Sequence, residues 1–230
     1  LHALGSGRSL KTTGNDCRQP SATANLPSPM SVTHAPTVVI ENFYPCLDGG
    51  RHPVKRVIDE PLDVWCDIFK DGHDVMSAVL RWRLTGSRRW FESQMKLTEN
   101  DRWHGQCSFS KAGRWEYVVE AWGDTFRSWK KTFAVRVQAK DPDVPIEAQE
   151  GARLLRDAAK RARAAGVPTA GTQLEDFADL LASMRAADLM DVLLSDEMQS
   201  LMDQYPDRSQ STTSDTMRAT AERERARFSA

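Results

Sequence analysis

Several signals that would reveal an enzyme or a metal protein are missing from this 230-residue sequence. It has no CxxC pair and no grouping of His and Cys with the spacing of a zinc site. It also lacks the G-x-S-x-G elbow, the H-E-x-x-H helix and the G-x-x-x-x-G-K-[ST] phosphate loop. We therefore predict no catalytic residue, no cofactor-binding residue, no cofactor and no metal ligand in this chain.

The sequence also lacks strong charge of one sign and long apolar runs. Its formal net charge is −1, whereas nucleic-acid binders usually carry a clear basic excess. No apolar run approaches the roughly 20 residues that a membrane-spanning helix needs. Residues 1–29 lack the apolar core of a secretory signal. We expect a cytoplasmic protein with no nucleic-acid partner and no membrane partner.

Cysteine is scarce, with four residues at Cys17, Cys46, Cys66 and Cys107. The favoured interpretation is that they are small buried hydrophobes in a reducing compartment. Cys66 and Cys107 both fall on predicted inward-facing positions, which leaves a disulfide between them as an alternative.

Composition divides the chain into successive parts. Residues 1–36 are rich in Ser, Thr, Gly and Pro without periodicity, which predicts a disordered leader, and Met30 is a candidate for the biological start. Residues 37–140 hold all seven Trp and carry 17 Lys/Arg against 14 Asp/Glu, which is +3. Residues 141–206 carry 6 against 13, which is −7. Two physically different domains follow each other.

Alternating apolar and polar residues over 37–140 predict about seven short strands, because period 2 places one set of side chains on one face. Turn signals every 8–12 residues favour a β-sandwich of immunoglobulin or fibronectin III type. The last strand is expected after Gly123-Asp124. The predicted inward-facing residues are Leu62, Val64, Cys66 and Ile68; Met76, Ala78, Leu80, Trp82 and Leu84; Phe91, Ser93, Met95 and Leu97; Trp103, Gly105, Cys107 and Phe109; Trp115, Tyr117, Val119 and Ala121; and Phe133, Val135 and Val137.

Residues 141–206 change to a helical period and predict a bundle of two to three helices. One helix is expected over Ala148–Ala165, ended by Gly166 and Pro168. Thr172 and Glu175 have the spacing of a capping box, and Asp188 and Ser195 are further candidate caps. Residues 207–220 are polar and are expected to form a loop.

The residues that invite a catalytic or binding role have a simpler interpretation. His52, His73 and His104 each lack a second candidate ligand, and a role in a turn or at the surface is favoured for them. Asp48-Gly49-Gly50 resembles a phosphate-binding loop only in its glycines, so a tight turn is favoured. Asp59 and Glu60 are expected at the surface.

Three tryptophans, Trp65, Trp122 and Trp129, fall opposite the predicted inward sets. An exposed Trp can stack on a sugar ring or anchor an interface. Burial against another domain or subunit is the favoured interpretation, and sugar stacking is the alternative.

Beyond these patterns, the amino-acid sequence of several stretches resembles the N-terminal module of the α-1,4-glucan:maltose-1-phosphate maltosyltransferases, enzymes of the α-amylase clan. The stretches that carry the resemblance are VVIENFYPCLDGGRHPVKRV (38–57), DIFKDGHDVMSAVLRWR (67–83), NDRWHGQCSF (100–109), GRWEYVVEAWGDTFRSWKK (113–131) and ERERARFSA (222–230). The resemblance implies a mainly β plus α fold, with a fibronectin III-like sandwich that carries a small helical insertion. A catalytic (β/α)8 barrel would follow. Residues 207–230 are then a loop and a return strand, truncated before the barrel.

The family reaction implied is the transfer of maltosyl units from α-maltose 1-phosphate to α-1,4-glucans, in bacterial synthesis of glycogen-like glucan, without a cofactor. The N-terminal module and its helices are implied to build a homodimer. We expect this chain to be the dimerisation and support region, inactive on its own. Two alternatives stay open, a free-standing module that binds α-glucan and a signalling or adhesion sandwich.

Overall fold

The computed structural model describes residues 38–183 and 195–223, and these residues form a mixed β and α structure with two sheets and four helices. The strands are β1 (Val38–Tyr44), β2 (Val54–Val57), β3 (Pro61–Lys70), β4 (Met76–Leu84), β5 (Phe91–Gln94), β6 (Lys96–Glu99), β7 (Arg102–Ser108), β8 (Gly113–Gly123), β9 (Thr212–Thr213) and β10 (Met217–Glu222). The helices are α1 (Thr125–Ala139), α2 (Val144–Ala164), α3 (Pro168–Ser183) and α4 (Asp196–Gln204).

The first sheet has the order β1-β3-β7-β6, and all of its pairs are antiparallel. The second has the order β2-β10-β8-β4-β5, with the short β9 paired to β8. In this second sheet β10 runs parallel to β2 and antiparallel to β8. Because the helices lie between β8 and β9 in the chain, the polypeptide leaves the second sheet, forms the helices and then returns to it.

Side chains from both sheets meet in one hydrophobic cluster, and the predicted inward sets supply most of it. Leu62, Val64, Cys66 and Ile68 are all buried, as period-2 alternation requires of a strand with one face on a core. One predicted strand is in fact two. Around the buried Met95 the chain passes from β5, which pairs with β4, to β6, which pairs with β7 in the other sheet. Leu97 is consequently exposed.

The predicted last strand was wrong, because Thr125–Ala139 is helix α1. The Asp124 side chain caps it, with Oδ1 accepting a hydrogen bond from the Arg127 backbone N–H at 2.9 Å. Phe126, Trp129 and Phe133 follow at helical spacing and are buried, whereas Val135, which was expected to point inward, is 62% exposed. The segment therefore follows the helical spacing of its aromatic residues and not the strand-like alternation of Phe133, Val135 and Val137.

The four described helices share a second hydrophobic cluster. Three of them, α2, α3 and α4, lie within residues 141–206, where two to three helices were expected, and α1 precedes that range. Helix α3 begins at Pro168, which suits a first helical turn. The predicted capping box was wrong, because Thr172 lies inside α3 and its hydroxyl donates to the Pro168 carbonyl at 3.2 Å. Ser195 caps α4 as predicted, accepting from the Met198 N–H at 3.4 Å. The candidate cap Asp188 lies outside the described residues.

The segment expected to be a loop over 207–220 contains β9 and most of β10. Met217, Ala219 and Ala221 alternate inward and are buried, so the strand is a short one with small residues in the core. The return strand that was expected toward residue 230 lies partly outside the described residues, which end at Arg223.

Candidate functional site

The outer face of the first sheet, the side turned away from the core, carries a line of side chains that crosses all four strands. The register places Tyr44 of β1 opposite Trp65 of β3, Trp65 opposite His104 of β7, and His104 opposite Lys96 of β6. The Trp65 and His104 rings stack with their centroids 4.2 Å apart and their planes 27° apart. Tyr44 is 61% exposed. We call Tyr44, Trp65 and His104 the aromatic row.

A hydrogen-bonded pair lies on one side of the aromatic row. Nε2 of His104 is 2.8 Å from Oδ1 of Asp63, and Nε2 of Gln106 donates to the same oxygen at 3.1 Å. The hydrogen bonds from His104 and Gln106 hold the pKa of Asp63 below its usual value. Asp63 therefore keeps its negative charge beside the imidazole and fixes the His104 ring on which Trp65 rests.

A second hydrogen-bonded group lies on the other side of the aromatic row. Asp67 accepts from Arg102 and from Asn42, both at 2.8 Å. The hydrogen bond from Arg102 and, to a smaller extent, the one from Asn42 lower the pKa of the Asp67 carboxyl. The two carboxylates that flank the aromatic row are thus each paired, Asp63 with His104 and Asp67 with Arg102, and Lys96 lies beside His104 at the end of the line.

The outer face of the second sheet is built differently, around Glu120, which is only 7% exposed. Its carboxylate accepts from Arg81 at 2.8 Å, from Ser211 at 2.8 Å and from Arg208 at 3.4 Å. Arg208 also donates to both oxygens of Glu92, at 2.6 and 2.9 Å, and these bonds lower the pKa of Glu92. The segment after α4 is therefore fastened across β4, β5 and β8.

Two of the three tryptophans expected on outer faces are buried by the chain itself. The Arg208 guanidinium lies 4.5 Å from the centroid of the Trp122 ring, and Trp122 is buried. Trp129 is buried among the helices, where its Nε1 donates to the Glu147 carbonyl at 3.0 Å. Neither ring can stack on a sugar in this arrangement, and Trp65 is the remaining candidate of the three.

The turns that invited a functional reading are turns in the structure. Residues Asp48, Gly49 and Gly50 have φ of 49°, 62° and 85°, and the Gly50 N–H donates to the Leu47 carbonyl at 3.1 Å. His52 and His73 are exposed, and Asp74 pairs with Lys70. Across residues 38–183 and 195–223, no group of three or more His, Cys, Asp or Glu side chains is placed to hold a metal ion.

The described cysteines are free thiols. Cys66 and Cys107 are buried in the core, and the loss of hydration there raises the pKa of each thiol to about 12. The disulfide alternative for this pair is wrong, and their role as small buried hydrophobes is confirmed.

None of the described helices combines the length and apolar character that crossing a membrane requires.

Comparison with known proteins gives a consistent result. The family model described as "Alpha-1,4-glucan:maltose-1-phosphate maltosyltransferase, domain N/S" matches residues 36–223. The chain is 42% identical over 199 residues to the alpha-1,4-glucan:maltose-1-phosphate maltosyltransferase of Myxococcus xanthus, covering 84% of this chain and 30% of that protein. It is 33% identical over 178 residues to the protein of that name from Chlorobaculum tepidum, covering 77% and 26%.

A third relative, alpha-1,4-glucan:maltose-1-phosphate maltosyltransferase 1 of Streptomyces coelicolor, is 32% identical over 210 residues, covering 85% of this chain and 30% of that protein. The chain thus spans less than a third of the length of these three relatives.

Proposed function

The chain belongs to the alpha-1,4-glucan:maltose-1-phosphate maltosyltransferase family, as its domain N/S, and from this premise we propose that it is the non-catalytic dimerisation and support region of such an enzyme. The observation that carries the proposal is the match over residues 36–223 to a domain named apart from the whole enzyme. The two sheets are then a fibronectin III-like sandwich, and the helices between β8 and β9 are an insertion into it.

The complete enzyme would transfer maltosyl units from α-maltose 1-phosphate to α-1,4-glucans in the cytoplasm, during synthesis of a glycogen-like polymer. Its reacting groups would belong to a (β/α)8 barrel that follows this region. Supporting this, Cys66 and Cys107 lie in the core, Asp48 lies in a turn, and His104 pairs with Asp63 at the surface.

The proposal that this chain has no maltosyltransferase activity on its own can be tested directly. Incubated with α-maltose 1-phosphate and glycogen, this chain should release no inorganic phosphate, because the transferring groups belong to another domain. The complete Myxococcus xanthus relative serves as the positive control. Phosphate release by this chain alone, above a no-protein blank, would contradict the proposed division of labour.

For the dimer, exposed apolar side chains on the helices support a contact between two copies. Val135 of α1 is 62% exposed and Ile146 of α2 is 70% exposed. Arg136 of α1 forms ion pairs with Asp141 of the linker and with Glu147 of α2, both at 3.5 Å. Val135 and Ile146 are the sequence neighbours of the two residues in the pair that joins the helices, and we call this region the α1–α2 corner. Exposed apolar side chains favour association. We propose that the α1–α2 corner, together with the sheets, forms the homodimer.

Light scattering after size exclusion tests the dimer. The wild type should have twice the chain mass, and the double variant Val135→Asp with Ile146→Asp should have the mass of one chain, because a buried unpaired carboxylate is costly. Leu47→Asp, in the loop between β1 and β2 and 49% exposed, is the matched control and should remain dimeric. A monomeric wild type, or a dimeric double variant, counts against this interface.

A further inference from the structure

We propose that the outer face of the first sheet is a binding platform for a neutral polysaccharide chain, whose sugar rings stack on Trp65 and Tyr44. The existence of the platform rests on the geometry of the sheet. The choice of an α-1,4-glucan as its ligand rests on the proposed function.

The aromatic row supplies the stacking surface. Its members lie on adjacent strands, and neighbouring strands are about 4.8 Å apart, so the row from Tyr44 to His104 extends over roughly 10 Å. Trp65 is partly buried, and its stack on His104 at 4.2 Å holds the ring in place while part of it stays accessible. Aromatic side chains of this kind offer a large apolar surface at low cost in rotamer entropy.

Hydrogen-bonding side chains flank that row on both sides. Asp63 and Gln106 lie two residues along their strands in one direction, and Asp67 and Arg102 lie two residues along in the other. Each flanking pair is therefore about 7 Å from the row. A carboxylate offers about four acceptor sites, so Asp63 keeps capacity for a ligand hydroxyl after its bonds to His104 and Gln106. Apolar rings between polar pairs match sugars, which have apolar faces and hydroxyl edges.

The charge on this face favours a neutral ligand. His104 is paired with Asp63, and Arg102 is paired with Asp67, each at 2.8 Å. A polyanion such as nucleic acid would require a basic excess, and the paired charges near the row do not provide one. A neutral polysaccharide fits a face on which the carboxylates beside the aromatic rings are already paired.

Affinity electrophoresis of the whole chain in native gels that contain glycogen tests the proposal. The wild type should migrate more slowly as the glycogen concentration rises. Trp65→Ala and Tyr44→Ala should each raise the apparent Kd about tenfold, the order expected for one lost stacking contact. Trp90→Ala is the matched control, because Trp90 is a partly exposed tryptophan beside Arg83 of β4, with the guanidinium 4.4 Å from its ring centroid, and it should bind like the wild type.

Trp65→Phe separates binding from folding, since it keeps an aromatic ring in the row and should retain more affinity than Trp65→Ala. Binding should change less than twofold between about 0.05 M and about 0.5 M salt, because the contacts are neutral. No retardation of the folded wild type overturns the proposal, and so does equal retardation of Trp65→Ala.

Two further outcomes distinguish the ligand from its competitors. Retardation by glycogen but not by hydroxyethyl cellulose supports an α-1,4-glucan. Equal retardation by both polymers overturns that choice. If Trp65→Ala converts a dimer to a monomer and leaves glycogen binding unchanged, the face belongs to a second copy and the platform is refuted. The dimer test at Val135 and Ile146 is independent, so failure of either proposal can be recognised separately.

Discussion

At the scale of single residues, burial determines how the cysteines should react. The Cys66 and Cys107 thiols have a pKa of about 12 because the core strips them of water, and a thiol attacks a disulfide reagent as its thiolate. Cys46 is only partly buried. In a Cys17→Ser background at pH 8, one thiol per native chain should react quickly with DTNB, and three should react in denaturant.

A Cys46→Ser variant in the same background is the control for that count, and it should show no fast thiol in the native state. Two or three fast thiols per native chain would mean that the core opens far more readily than its packing implies.

The sequence predicts which side of a strand a residue lies on. It says less about which other part of the chain covers that side. Alternation identified Leu62, Val64 and Ile68 as core residues, because the pattern within their own strand is enough to place them on its inner face. It placed Trp122 on the outer face, yet Trp122 is buried because Arg208, distant in sequence, lies over it. The aromatic row was missed for a related reason, since Tyr44 and His104 join Trp65 only through the strand register.

At the scale of elements, α1 and α2 touch where a glycine leaves room for an indole. A Cβ added at Gly151 would lie 2.0 Å from Cζ2 of Trp129. Trp129 has little freedom to move, because its ring stacks on Phe133 at 4.9 Å and its N–H is bonded to Glu147. Gly151→Ala should therefore destabilise the chain by roughly 1–3 kcal/mol, as overpacking does, although alanine is the better helix former.

Urea unfolding followed by circular dichroism measures that change. Glu150→Ala, on the same helix, is the control and should shift the free energy of unfolding by less than about 0.5 kcal/mol, because it removes only a surface pair with Arg153. A Gly151→Ala protein at least as stable as the wild type would show that α1 can move away from α2.

The choice between strand and helix for residues 125–139 also belongs to this scale. The segment contains a helical spacing of Phe126, Trp129 and Phe133, and an alternating set that ends in Val135 and Val137. A further strand would need a free edge beside β8, but β4 and β10 already flank it. That occupancy depends on β10, far along the chain, so local pattern alone could not decide. The helices of 144–204 were easier to predict because their apolar stripes are local.

At the scale of the whole molecule, the segment after α4 connects the helices to the second sheet. Arg161 of α2 donates to the Tyr205 carbonyl at 2.9 Å, and Arg208 donates to the Glu92 carboxylate of β5 at 2.6 Å. The hydrogen bond from Arg208 lowers the pKa of folded Glu92 below its ordinary 4.5. Its stabilising effect is thus complete above the unfolded pKa, and is lost as the pH falls through the lower folded pKa.

Glu92→Gln should accordingly flatten the acid side of the stability profile. Between about pH 6 and pH 3 the wild type should lose roughly 1 kcal/mol more of its unfolding free energy than the variant, a modest value because Glu92 is partly exposed. Urea titrations at several pH values measure this. Glu150→Gln, from a more exposed pair, should leave the slope closer to that of the wild type. Parallel wild-type and Glu92→Gln profiles would contradict the linkage.

The position of β10 between β2 and β8 has a consequence for synthesis of the protein on the ribosome. β2 emerges early, but among the described residues its strand partner is β10, which is translated after all four helices. Until Met217 and the residues after it have been translated, Val54–Val57 lack the parallel strand with which they pair in the folded chain. The second sheet therefore cannot be completed before residues 217–222 have been translated, because β10 supplies the pairing that joins β2 to β8.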